Sequence, residues 1–292
     1  MRISESMMYR RISTSLSGAQ SKIAEATEPL MTGHRINRPS DDPIRAQRLA
    51  RADRTMAKAE QFRGNVSRNM VYHQVVETTV TNVTDTLSEM STLAIAMAND
   101  SLSAGDRASA AAQVDSMIEA LESYGNAKFN GRFLFSGRIQ DQPAYDASMA
   151  FVGDTVGRTV QVSEGLEVSA DVTGPTVFGD QGSSAFEAAQ ALSDALKAND
   201  TAGIQTALGL INASHEQSTR ALTEIGFTMV DMNRADSYQE DKAFTTELHR
   251  ASLDEVDVAE AASAMSFAEG VYNTAIQVAS RINRLVDSLS RL

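Results

Sequence analysis

Four histidines, His34, His73, His215 and His249, are the side chains best suited to proton transfer or metal ligation, and they are scattered along 292 residues. Imidazoles that hold a zinc ion recur at short spacings with a second His or a carboxylate. None of the four has such a partner in zinc-ligand spacing. His215 falls on an apolar helical row and reads as a seam residue. Asp41-Asp42 could suggest a cation site, but between Ser40 and Pro43 it reads better as helix capping. Glu255, Asp257 and Glu260 could suggest paired carboxylates, yet they suit the positive first turn of a last helix. Gly131 and Gly137 bracket a strand-like run instead of forming a phosphate-binding loop before a helix. Arg10-Arg11 reads as a solvated basic spot. The chain has no Cys, which removes disulfides, thiolate metal sites and Cys nucleophiles. No Gly-x-Ser-x-Gly motif occurs. The reading is therefore of a non-enzymatic protein with no cofactor and no metal.

What must be positioned is instead a set of long apolar rows. Apolar residues make up 42% and aromatics only 5%, with no Trp and 13 Met, so cores must be built from Ala, Leu, Ile, Val and Met, as in helix-on-helix packing. A first helix is expected from near Ser4 to Met31. Its positions Ile12, Leu16, Ala19, Ile23, Ala26 and Leu30 step by 4-3-4-3-4, the spacing of a coiled-coil seam. Pro39-Ser40-Asp41-Asp42-Pro43 reads as a helix start, with Ser40 as cap, the Asp pair at the positive end and Pro43 in the first turn. The helix that follows reaches about Asn99, with Val76, Val80, Val83, Leu87, Met90, Ala94 and Met97 in phase. Ser103 and Asp106 read as a capping pair for a third helix that ends near Tyr124-Gly125. All five Pro, including Pro29, read as punctuation outside helix interiors.

Residues 130–182 change character. Asn130-Gly131 is a turn signal, Phe133–Gly137 is strand-like, and Val160 to Val172 alternates around Glu164-Gly165 as a β-hairpin does. Helix resumes at Ser183-Ser184, breaks at Asn199-Asp200, and continues through Ile204, Ile211, Ser218, Ile225 and Met232 to about His249. A last helix starts near Asp254. Val258, Ala261, Met265, Ala268, Tyr272, Ala275, Ala279, Ile282, Val286 and Leu289 step by 3-4, with Val271, Val278, Leu285 and Leu292 in a second row beside them.

The expected fold is mainly α: a long-helix bundle with N- and C-terminal helices paired as a coiled coil, plus a small β-rich insertion. Residues 1–40 and 254–292 are expected to form a terminal coiled-coil assembly domain. Residues 41–129 and 183–253 form a central helical bundle, and 130–182 a small β-hairpin subdomain. The terminal stripe is wider than a two-helix seam needs. It packs either on the chain's own middle helices or on copies of itself, and in the second case the ends fold on assembly. Candidate assembly residues are Ile12, Leu16, Ile23, Leu30, Val271, Val278, Ile282, Leu285, Leu289 and Leu292. The formal charge of −12 disfavours nucleic acid and acidic membrane surfaces. No stretch reaches the length of a membrane span. The N-terminus has no apolar run of the signal-peptide kind, so export without a cleaved signal peptide is expected.

Met1-Arg-Ile-Ser, Met7-Met8-Tyr9 and Met31-Thr-Gly-His-Arg-Ile-Asn-Arg-Pro-Ser-Asp-Asp-Pro43 resemble the start of bacterial flagellin-like axial proteins. The Pro39–Pro43 run, Leu102–Ser109 and Phe129–Gly137 are similar to the hook-associated, hook–filament junction type of that family. Residues from Leu253 onward match its C-terminal coil in character. The resemblance implies an extracellular position in a bacterial flagellum and a homo-oligomeric ring. It implies a neighbouring hook-associated protein on one side and flagellin on the other. It further implies an export chaperone on the C-terminal helix and passage through the flagellar type III apparatus. Two other functions stay open on the residues: a short flagellin that forms the filament itself, and a secreted helical adhesin or signalling protein.

Overall fold

The computed structural model describes residues 2–290, with the backbone alone at 2–6, 283 and 285–290. Seven helices and four short strands follow one another among the described residues. They are α1 (Arg2–Thr32), α2 (Pro43–Met97), α3 (Ala104–Gly125), β1 (Lys128–Phe129), β2 (Arg132–Phe133), β3 (Thr159–Ser163), β4 (Leu166–Ser169), α4 (Gly174–Phe178), α5 (Ala185–Lys197), α6 (Thr201–Asp254) and α7 (Val258–Ser290). The chain is mainly α, with long terminal helices and small two-stranded sheets. It divides into two compact units, one of residues 1–58 with 242–292 and one of residues 59–241. The sequence-expected boundary at 40/41 falls in the α1–α2 link and that at 253/254 just before the last residue of α6, whereas the units part within α2 and α6.

The 59–241 unit has one large core. Val76, Val80, Val83, Leu87, Met90 and Ala94 of α2 lie in it, all fully buried, with Val114 and Leu121 of α3, Leu192 and Leu196 of α5, and Ile204, Ile211 and Ile225 of α6. The 3-4 spacing puts each set on one face, which is why the row in the sequence becomes the core side of the helix. α3 and α5 begin in capping boxes. The Ser103 hydroxyl accepts from the Asp106 N–H, and Ser184 accepts from Glu187 N–H, while each carboxylate returns to the cap backbone. Those hydrogen bonds hold the Asp106 and Glu187 carboxyls below their ordinary range, chiefly through the Ser103 hydroxyl in one case and the Ser184 backbone N–H in the other.

Arg107 is buried without a carboxylate partner among the described residues. Its guanidinium donates to the carbonyls of Met97 (3.0 Å) and Asn99 (2.8 Å) and to Asn199 Oδ1. The carbonyls at the C-terminal end of α2 carry the negative end of the helix dipole, so the cation is stabilised by dipoles instead of by a counter-charge. Asn199 sits at φ 52° in the turn between α5 and α6. Sequence reading marked Asn199 as a break; what it could not show is that Arg107 ties two turns together.

The β segment makes two separate antiparallel hairpins. Asn130 and Gly131 have φ of 51° and 79°, the paired positive values of a two-residue hairpin turn. β3 and β4 pair through Glu164-Gly165, with a bulge between Gln161 and Ser163. Alternation was expected to run to Val172, but β4 stops at Ser169. The reason is Asp171, whose buried carboxylate accepts from Arg158 Nε and Nη2, both at 2.8 Å, and from the Arg158 N–H at 2.9 Å. Meeting that charge bends the chain out of the ladder. The strand-like 133–137 run extends only to Phe133; beyond it Phe135 stacks edge-on against Phe178 of the short helix α4, which sequence reading did not foresee.

Pro29 corrects the punctuation rule, because it stands inside α1. It lies three residues before Thr32, so the helix forfeits one hydrogen bond near its frayed end and is not broken. Gly33, at φ 74°, ends the helix and donates to the Pro29 carbonyl at 2.9 Å.

Candidate assembly surface

The residues singled out for assembly lie in the unit formed by 1–58 and 242–292. α1 and α7 pack along their length. They run antiparallel: His34 bridges Glu255 at one end, and Gln20 Nε2 donates to Tyr272 Oη at 3.3 Å further along. Ile12, Leu16, Ile23 and Leu30 are half-buried, and Ala19 is buried between them. On α7 the row Ala261, Met265, Ala268, Tyr272, Ala275, Ala279 and Ile282 is shielded, with Ala268 buried. Its many Ala let the helices approach closely, while each contributes little apolar area.

The second row behaves differently. Val271 is 38% exposed, Val278 50% and Phe267 76%. Phe267, Val271 and Val278 are spaced by four and seven residues, so they share a stripe turned about a quarter-circle from the α1-facing row. The structure therefore brings Ile12, Leu16, Ile23, Leu30 and Ile282 into the seam and leaves Val271 and Val278 outside it. The side chains of Leu285 and Leu289 lie outside the described residues, as does Leu292 altogether.

At the far end of the seam a small clasp joins the links. His34 Nδ1 lies 2.6 Å from Asp254 Oδ2, the Arg35 N–H donates to the Asp254 carbonyl at 2.8 Å, and the Ile36 N–H reaches Asp254 Oδ1 at 3.4 Å. Nothing in the sequence spacing signals this pairing of residues 220 positions apart. The helix-start motif follows directly. Asp42 Oδ1 accepts from the N–H groups of Ile44 (3.1 Å) and Arg45 (2.9 Å), so Asp42 is the cap and Ser40, in the preceding turn, is not. Asp41 faces backwards and accepts from the N–H groups of Asn37 (3.1 Å) and Arg38 (2.7 Å). Pro39 lies in the turn and Pro43 opens α2, where its missing N–H costs nothing. One oxygen of each Asp thus accepts from backbone N–H groups, and Asp42 Oδ2 lies 3.3 Å from Arg45 Nε. Among the described residues no cluster of three His, Asp or Glu is arranged to hold a metal, and no helix is long and apolar enough to cross a membrane.

The two units also differ in charge. Residues 1–58 and 242–292 carry 16 Lys and Arg against 13 Asp and Glu, whereas residues 59–241 carry 10 against 25.

Residues 3–140, which include the first of these paired terminal helices, match the family described as the bacterial flagellin N-terminal helical region. The likeness extends beyond that segment. The chain is 24% identical over 284 residues to the flagellar hook-associated protein 3 of Salmonella typhimurium, covering 88% of this chain and 89% of that one. It is 30% identical over 122 residues to flagellin FlaB1 of Treponema pallidum, covering 40% and 42%. Its fold matches a solved structure described as a putative flagellar hook-associated protein from Vibrio parahaemolyticus at a TM-score of 0.68 and 24% identity, over 74% of this chain and all of that one. The resemblance to flagellin-like proteins of the hook-associated type, read first from residues 1–140 and 250–292, stands. The relatives are structural flagellar proteins, not enzymes.

Proposed function

We propose that the chain is a structural junction protein of the bacterial flagellum, extracellular in place, whose copies form a ring between a hook-side junction protein and the flagellin filament. The assembly domain, residues 1–40 and 254–292, carries the contacts between copies. The observation that supports this most directly is the unspent apolar row Phe267, Val271 and Val278 beside a seam that is only half-buried. Exposed apolar surface of this length marks an interface. Before export, the same row is the natural hold for a chaperone on the C-terminal helix.

The test is incorporation. Ile23→Asp places a carboxylate against α7, and Leu285→Asp places one in the second row. Burying an unpaired carboxylate costs several kcal/mol. Either change should keep the protein out of detached flagella while residues 59–241 stay folded by circular dichroism. A band of wild-type protein at the distal end of the hook is the expected label; normal motility with either variant would count against the mechanism. The local match to a flagellin supports a second reading, a short filament subunit. Negative-stain microscopy of concentrated protein separates the two, since only the second makes long filaments by itself.

A further inference from the structure

The exposed row on α7 needs a receiving surface, and the same unit offers one. A groove of about 490 Å³ runs between the start of α2 and the end of α6, floored by Ala52 and lined by Arg48, Arg51, Thr55, Thr245, Thr246 and His249. Arg48, Arg51 and the neighbouring Arg54 are exposed, and no carboxylate lies within ion-pair distance of any of them among the described residues. By contrast, Arg45 and Arg250 of the same unit each hold an acid. Ile44, 66% exposed, lies on the same stripe of α2 as Arg48, Arg51 and Thr55, and the methylene stems of the arginines add apolar surface to it. An exposed apolar side chain thus lies on the helix stripe beside a groove lined by two arginines.

We infer that this groove receives the outward row of α7 from a second copy of the chain. The complementarity is of both kinds. Between Arg250 and Arg281 the sequence has no Lys or Arg, while Asp254, Glu255, Asp257, Glu260 and Glu269 all fall there. Asp254 is engaged with His34, but Glu255, Asp257, Glu260 and Glu269 are exposed. Glu260 lies on the stripe of Phe267, Val271 and Val278, at intervals of seven, four and seven residues. One helix face therefore presents an acidic start followed by apolar side chains, and the groove presents arginines beside apolar surface. Among the described residues none of α7 lines the groove. Donor row and receiving groove are different surfaces of one chain. A contact between them is heterologous, and heterologous contacts propagate into closed rings or open helices, unlike face-to-face dimers. This inference rests on the junction reading and adds to it the specific surface that a neighbour occupies.

The absence of native Cys makes the contact testable by cross-linking in intact flagella. Cells would co-express two full-length copies, one with Thr245→Cys in the groove and one with Phe267→Cys on the row, both at exposed positions. A short thiol–thiol cross-linker should give a covalent dimer when both copies are present and none when either is present alone. Arg48→Glu with Arg51→Glu in the groove copy should reduce that dimer by about tenfold, as charge mismatch at an interface does. Glu260→Lys in the row copy should restore it, a rescue that misfolding would not allow. Flagella that contain both copies yet give no dimer overturn the groove assignment and leave the junction reading in place. A chain absent from flagella altogether overturns both.

Discussion

Truncating Ile23 to alanine should loosen the terminal helices of the free protein and leave residues 59–241 unaffected, and comparison with Leu87→Ala sets the scale. Leu87 is fully buried in the large core, where a Leu→Ala change costs about 3 kcal/mol through lost transfer energy and a residual cavity. Ile23 is half-buried in a seam of two helices, so truncation removes about half of a side chain's burial and leaves an indentation that water fills. That puts its cost at about 1 kcal/mol. The open population of the seam should then rise about fivefold, against a factor on the order of a hundred for the core in the Leu87 variant. Hydrogen exchange on the full-length monomer reads both at once. Amides of α1 and α7 should already exchange faster than those of α2 around Val83 in the wild type. Ile23→Ala should speed only the former. If Ile23→Ala accelerates exchange around Val83 and Leu121 as much as around Leu16, the seam is not a separate, weakly held element, and the case for its completion by neighbours fails.

Two more outcomes follow from buried or capping groups. His73 donates from Nδ1 to the Asn69 carbonyl at 2.9 Å, which leaves Nε2 unprotonated, buried and without a partner among the described residues. Desolvation lowers its pKa from 6.5, so the unfolded chain takes up the proton first. This contribution to stability should be level above pH 6.5 and fall as pH drops from there toward the depressed folded value. Urea midpoints against pH measure this, and His73→Leu should flatten that stretch of the curve. At the start of α2, Asp42→Ala should cost about 1 kcal/mol and Ser40→Ala close to nothing, by the same urea assay, because only Asp42 accepts from the first-turn N–H groups.

The long helices were legible because one rule governs them: residues at 3-4 spacing share a face. Val76 to Ala94 and Ile204 to Met232 were read that way and lie on the core side. Capping at Ser103 was legible for a similar reason, since its partner is three residues away. The hairpin turns at Asn130-Gly131 and Glu164-Gly165 are equally local. What escaped is what depends on distant partners. Arg107 looked like any helical arginine until Met97, Asn99 and Asn199 surrounded it. Asp171 sat in an alternating run and gave no sign that Arg158 would draw it inward. The choice of Asp42 over Ser40 as cap turned on a two-residue shift that composition cannot resolve. At the candidate surface, the pattern separated a seam row from a second row. It did not reveal the arginines that lack a carboxylate partner among the described residues, because an absent ion pair has no sequence signature.

The antiparallel course of α1 and α7 has a mechanical corollary. The N-terminal end of α1 and the C-terminal end of α7 therefore point the same way along the seam, away from His34 and Asp254. Tension that separates those two ends loads one turn at a time, as a zip is opened, and over the described side chains each step works against only a half-buried residue and an alanine. Tension along the helix axes loads every turn together. The same pair is therefore soft to peeling and stiff to sliding, with the His34–Asp254 clasp as the stop at which peeling ends.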